Sequence, residues 1–190
     1  VMDTKIPIRI RNAFNLSNEG TIISKNPSKS SQKIVKSIIA IRNTALIDVS
    51  GGGMVGAPGT AAKIFDALAR KSVNIMMISQ SPSESSISMV VKKDDLDTAI
   101  TTLDLTLLDK VIKNVRVNED VAVVAVVGSG MRGIKGIAAK VFSSVSKNSI
   151  NVIMIAQGSS ELNLAFVVNN VDCEKAVRSL HKAFMLTKVS

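Results

Sequence analysis

The chain has 190 residues with one cysteine, one histidine, no tryptophan and no tyrosine, and its 24 Lys and Arg against 15 Asp and Glu give a formal net charge of +9. This length suits one medium or two small domains with an Ile, Val, Leu, Ala and Met core. The lone Cys173 excludes an intramolecular disulfide and fits a reducing compartment, the cytoplasm being expected, and one His with one Cys argues against a metal site.

Taken in order, residues 26–32 (Asn-Pro-Ser-Lys-Ser-Ser-Gln) read as a linker. Two apolar runs follow, Ile34–Ile41 and Thr44–Val49, each a predicted strand. The Gly-rich stretch "GGGMVGAPGT", residues 51–60, then leads into a helix on which Ala61, Ile64, Phe65 and Leu68 recur at helical spacing. A strand is predicted over Asn74–Ser79, a Ser-rich turn over Ser81–Glu84, a strand over Ile87–Val91 and a helix over Leu96–Leu103. A further strand, Val111–Val117, precedes the apolar run Val121–Val127, which is too short to span a bilayer and reads as buried strand.

There the chain begins to repeat itself. "GSGMRGIKGI", residues 128–137, restates the glycine turn at an offset of 77 residues, and 18 of the 41 residues between 51 and 91 are identical to their counterparts. The identities include Gly59/Gly136, Phe65/Phe142, Asn74/Asn151, Gln80/Gln157 and Glu84/Glu161. The second copy has its own helix (Ala138, Val141, Phe142, Val145), strands Asn151–Ala156 and Leu164–Val168, and last helix Cys173–Phe184. Two copies are too few for a solenoid and indicate two small homologous domains. Each reads as β-α-β-β-α plus one strand: an α+β chain of two ferredoxin-like units. Closure is open on sequence alone. Either residues 34–41 complete the second unit, which inserts the first into it (44–118 against 34–41 plus 121–186), or each copy uses its own leading strand.

Gly51, Gly53 and Gly56 spell the dinucleotide fingerprint G-x-G-x-x-G at a strand-to-helix turn. The surroundings do not fit it. The second strands end in Gln80 and Gln157 rather than an acid, and they turn at once into antiparallel partners. Glycines still let a backbone approach a ligand, and a helix N-terminus offers free N–H groups to a carboxylate. With Asn74/Asn151 and Gln80/Gln157 supplying donors and acceptors, a small zwitterion such as an amino acid suits the turn.

At these residues the sequence resembles the regulatory region of aspartate kinase, a tandem of ACT domains. The motifs that carry the resemblance are "GGGMVGAPGTAAKIF", "VNIMMISQSPSESSISMVV", "GSGMRGIKGIAAKVF" and "INVIMIAQGSSELNLAFVV". Residues 6–24 look like the last strands of that family's catalytic domain, so 1–27 are expected to be its end and a linker. The resemblance implies feedback regulation of an enzyme that phosphorylates aspartate with Mg-ATP. No part of this chain matches the catalytic domain's Lys-Phe-Gly-Gly-type motif. The chain is therefore expected to have no catalytic residue and no cofactor of its own, and to act through the kinase domain. It also implies an effector, threonine or lysine. Paired Ile-Ser-Gln and Ile-Ala-Gln motifs, as in threonine-sensitive relatives, favour threonine; Met76 stands where lysine-sensitive relatives often carry an acid. The implied site is Gly56, Gly59, Ala61, Asn74, Ile75 and Gln80 in the first copy, with Gly133, Gly136, Asn151 and Gln157 in the second. Homodimerisation through the ACT domains is implied as well.

Two other function classes fare worse. An RNA-binding ferredoxin-like protein needs aromatics on its central strands, and Phe166 is the one aromatic on a predicted strand in either copy, so no nucleic-acid partner is expected despite the charge. An independent enzyme would need a constellation: His181 has no partner pattern, and Glu84 and Glu161 read as residues that cap or orient their turns. No membrane partner is expected.

Overall fold

The computed structural model describes residues 6–23, 34–107 and 112–186, and the linker at 26–32 lies outside them. The chain divides into two units, residues 1–33 and 34–190. The first contains an antiparallel hairpin of β1 (Ile8–Ile10) and β2 (Thr21–Ile23). Gly20 sits in the hairpin at φ 76°, where a Cβ would lie 2.2 Å from the Ile10 carbonyl oxygen, so only glycine fits.

The second unit runs β3 (Ser37–Ser50), α1 (Thr60–Ala69), β4 (Ile75–Gln80), β5 (Ser86–Lys92), α2 (Leu96–Leu107), β6 (Asn114–Val127), α3 (Ile137–Ser146), β7 (Met154–Ala156), β8 (Asn163–Asn169) and α4 (Cys173–Ala183). Its six strands form one antiparallel sheet in the order β4-β5-β3-β6-β8-β7. The α+β, ferredoxin-like reading of both copies holds.

The leading strands differ from the sequence reading. Each is continuous with the strand after it: residues 37–41 and 44–49 both lie in the single 14-residue β3, and residues 114–117 and 121–127 both lie in β6, while Val111 is outside the described residues. The break visible in the sequence is a bulge. Asn43 lies at φ 58°, and the register shifts on both sides of Thr44. Asn tolerates the left-handed conformation that a bulge imposes. The Thr44 hydroxyl, buried there, donates to the Val121 carbonyl at 2.9 Å.

The long strands pair with one another in a two-fold manner. Ser37 lies opposite Val127 and Ser50 opposite Asn114, and the 77-residue offset exchanges these two pairs. The two ends of β3 consequently meet different neighbours. Leu46–Ser50 pair with β5 on one side and with residues 114–118 on the other, while residues 37–41 pair with 123–127.

Strand alternation sorts the core into three clusters. Ala45, Ile47 and Val49 of β3 join Ile87, Met89 and Val91 of β5 beneath α1 and α2. Ala122, Val124 and Val126 join Leu164, Phe166 and Val168 beneath α3 and α4. The residues between them point the other way, and Leu46, Met77, Val90, Val121, Val123, Met154 and Val167 form a third cluster. Strands buried on both faces explain the uninterrupted apolar run at 121–127. Phe166 is fully buried and meets Phe142 edge-on, ring centroids 5.8 Å apart. Burial of each such large side chain contributes roughly 1.5–3 kcal/mol.

Candidate functional site

The first glycine of each turn answers to packing. A Cβ on Gly128 would stand 2.2 Å from the Ile34 carbonyl oxygen, and one on Gly51 would stand 2.9 Å from the Lys113 nitrogen. These are the points where the residues just ahead of β3 and β6 pack against the start of each glycine turn. The later glycines answer to conformation and open space. Gly56, Gly59, Gly133 and Gly136 have φ of 63°, 85°, 71° and 86°, and a Cβ on any of them would meet nothing within 4 Å.

A short 3-10 turn, Gly52–Met54, buries Met54 and sends the chain to Gly59, the residue preceding α1. Gly59 has no side chain to cap the helix, and the first turn of α1 contains no acid. The Thr60 N–H donates to the Ala57 carbonyl at 3.4 Å, and the other N–H groups of that turn, with the positive dipole end, are left to whatever occupies the space in front. Gly136 and α3 repeat the arrangement.

The turn between the two antiparallel strands closes the opposite wall. Glu84, at φ 55°, donates its N–H to the Ser81 carbonyl at 2.9 Å and directs its carboxylate to the Gly56 N–H at 2.9 Å. Glu161, at φ 56°, reaches the Gly133 N–H at 2.5 Å. Each acid ties the tip of one turn to the other, in agreement with the orienting role read from the sequence.

Two repeat-related clefts result. The first, of about 360 Å³, is lined by Met54, Gly56, Ala57, Pro58, Gly59, Thr60, Ala61, Gln80 and Glu84. The second, of about 310 Å³, is lined by the nine counterparts of these residues, including Gly133, Gly136, Ala138, Gln157 and Glu161. Of the residues singled out in the sequence, Gly56, Gly59, Ala61 and Gln80 come together in one cleft and Gly133, Gly136 and Gln157 in the other. Asn74 and Asn151 are exposed just ahead of β4 and β7, and with Ile75 they stand outside the lining. The sequence reading left the two glutamates and the Thr60 and Ile137 positions out of the site. The identity of Glu84 and Glu161 within the repeat was the signal available for the first pair. Among the described residues there is no group of three or more His, Cys, Asp or Glu able to hold a metal.

Comparison with known proteins bears directly on the repeat. The family model for the ACT domain matches residues 47–106 and again 124–184. This chain belongs to the ACT domain family. Its ACT pair is that of aspartokinase regulatory regions. It is 38% identical to the chloroplastic bifunctional aspartokinase/homoserine dehydrogenase 2 of Zea mays, over 100% of this chain and 22% of that protein. It is 35% identical to the bifunctional enzyme of Haemophilus influenzae, over 99% and 23%. The chain thus spans about a fifth of the length of the curated relatives it matches first. Among solved structures, the ligand-free regulatory subunit of aspartate kinase from Thermus thermophilus superposes with a TM-score of 0.71 at 31% identity, covering 80% of this chain and 99% of that one. Clostridium acetobutylicum aspartate kinase gives 0.85 at 31% identity, covering 96% and 43%. No helix among the described residues of this ACT pair is long and apolar enough to cross a membrane.

Proposed function

We propose that this ACT pair senses an amino acid, threonine being favoured, and confers feedback inhibition on an aspartokinase catalytic domain. The observation that carries the reading is the pair of repeat-related clefts, each with an uncapped helix N-terminus on one wall and a glutamine and a glutamate on the other. A zwitterion matches that layout. Its carboxylate takes the N–H groups around Gly59–Ala61, its ammonium takes the Glu84 oxygen not engaged with Gly56, and Gln80 bonds a side-chain hydroxyl. Thr60 adds polarity, although its own hydroxyl donates to the Ala57 carbonyl at 2.9 Å.

Lysine is the second reading, because Glu84 and Glu161 each bring a carboxylate that an ε-ammonium could pair with. Met76, on β4, lies outside the cleft and offers no such charge.

Regulation requires the effector to bind one packing of the ACT domains better than another, since equal affinity shifts nothing. Pairing of chains through the edge strands is the proposed readout. Ile78 on β4 and Ile155 on β7 are 43% and 46% exposed and occupy equivalent positions. The hairpin of residues 8–23 leaves Ile8, Ile10 and Ile22 exposed, which suits the end of a kinase domain whose remainder covers them.

Calorimetric titration of threonine, lysine and an isoleucine control into the chain tests the reading. Saturable heat from threonine and none from isoleucine is expected. Lysine heat alone would replace the effector, and no heat from either would remove the sensing role from this ACT pair.

A further inference from the structure

The last helices of the two repeats, α2 and α4, share a place in the fold but carry opposite charge: α2 has Asp97 and Asp104 and no cation, whereas α4 has Lys175, Arg178 and Lys182 against Glu174. Between α3 and α4 lies a broad groove of about 800 Å³ whose lining includes Lys147, Lys175, Arg178 and Lys182. Glu174 is the one carboxylate in that lining, and Arg178 is already paired with it. The neutral polar groups there already donate to nearby backbone: Ser144, Asn148 and Ser179 donate to the carbonyls of Lys140, Ser144 and Ala176. What the groove offers a partner is therefore ammonium charge, together with Val171, which is 81% exposed.

The 77-residue offset gives the matching positions in the first repeat. Val171, Glu174, Lys175, Arg178, His181 and Lys182 correspond to Asp94, Asp97, Thr98, Thr101, Asp104 and Leu105. All six of these are exposed, and Leu105 is 77% exposed. From Asp94 onward they recur at the spacing of one helix face, so α2 presents an outward stripe that is acidic with an apolar end.

We propose that the α3–α4 groove docks the acidic outer face of α2 from a second copy of this chain. The spacings agree. Asp97 and Asp104 are seven residues apart, as are Lys175 and Lys182, a helical rise of about 10 Å in each case. Antiparallel helices in this register set Asp97 against Lys182 and Asp104 against Lys175, and they bring Leu105 within a turn of Val171. Long lysines at a groove rim, with no buried donor behind them, match a helix face better than a small anion, which needs convergent fixed donors. The two surfaces are different patches, so the contact is heterologous and propagates head to tail or closes into a ring. It is separate from any pairing of sheet edges.

The test is sedimentation velocity of the 190-residue chain at low and high salt, with two surface variants, D97K/D104K and K175E/K182E. The parent is expected to form a salt-sensitive higher species, and each variant alone is expected to weaken it at least tenfold, because one patch then repels its partner. An equimolar mixture of the two variants restores complementary contacts in both directions and is expected to recover the species. Absence of that species in the parent, or a mixture that fails to recover it, would overturn the proposal. Loss in K175E/K182E with no effect of D97K/D104K would also overturn it, and would assign the groove to a partner other than α2, such as a polyanion.

Discussion

The two clefts share a frame and differ in their lining. Four left-handed glycines, two glutamines and two glutamates recur at equivalent points. Between them, Ala57 becomes Ile134, Pro58 becomes Lys135 and Thr60 becomes Ile137. The first cleft is thus small-walled and polar, while the second has branched apolar walls and a cation at its rim. On the proposed reading the invariant glycines and glutamates take the α-carboxylate and α-ammonium, the invariant glutamines bond a side-chain hydroxyl, and the variable positions line the rest of the side chain. Threonine is therefore expected to bind the first cleft with the higher affinity and the second more weakly.

The largest expected effect separates the frames rather than the linings. Gly128→Ala drives a Cβ into the Ile34 carbonyl, so a loss of about 3 kcal/mol or more is expected in denaturant unfolding, against about 1–2 kcal/mol for Gly51→Ala, where the approach is 2.9 Å. Equal losses would break the claim that both first glycines answer to the segment ahead of β3 or β6 in proportion to its closeness. Next comes Glu84→Gln. It keeps an acceptor for the Gly56 N–H and removes the charge, so threonine affinity should fall about tenfold or more, with stability changed by less than about 1 kcal/mol. Glu161→Gln should leave the first cleft's binding constant unchanged. Gln80→Ala removes a neutral hydrogen bond and is expected to cost about fivefold at the first cleft only, read by calorimetry. The smallest effect sharpens the comparison: Ile137→Thr should raise threonine affinity at the second cleft by a few-fold.

Much of this was legible in the residues. The repeat set the architecture because the same turn, helix and strand spacing recur 77 residues apart, and three-dimensional packing kept that equivalence down to the nine residues lining each cleft. The fusion of the leading strands was hidden by Arg42 and Asn43, a polar pair that reads as a loop and folds as a bulge. The roles of the glycines were also mixed in the sequence. Gly51 and Gly56 look alike in a motif, yet the segment packed ahead of β6 decides one and backbone conformation the other. Asn74 and Asn151 looked like site residues because they open the strand predicted to lie beside the turn. They stand ahead of their strands, while Glu84 and Glu161 reach the site from its far wall, a contact that depends on the left-handed turn before β5 and β8 rather than on any local spacing.

The most direct test of the central claim is a threonine titration followed by amide NMR, in which the glycine resonances report on both clefts at once. Saturable shifts of Gly56 and Gly59 at lower threonine concentration than those of Gly133 and Gly136 are the predicted result. Shifts confined to other parts of the chain, with all four glycines unmoved, would contradict the account.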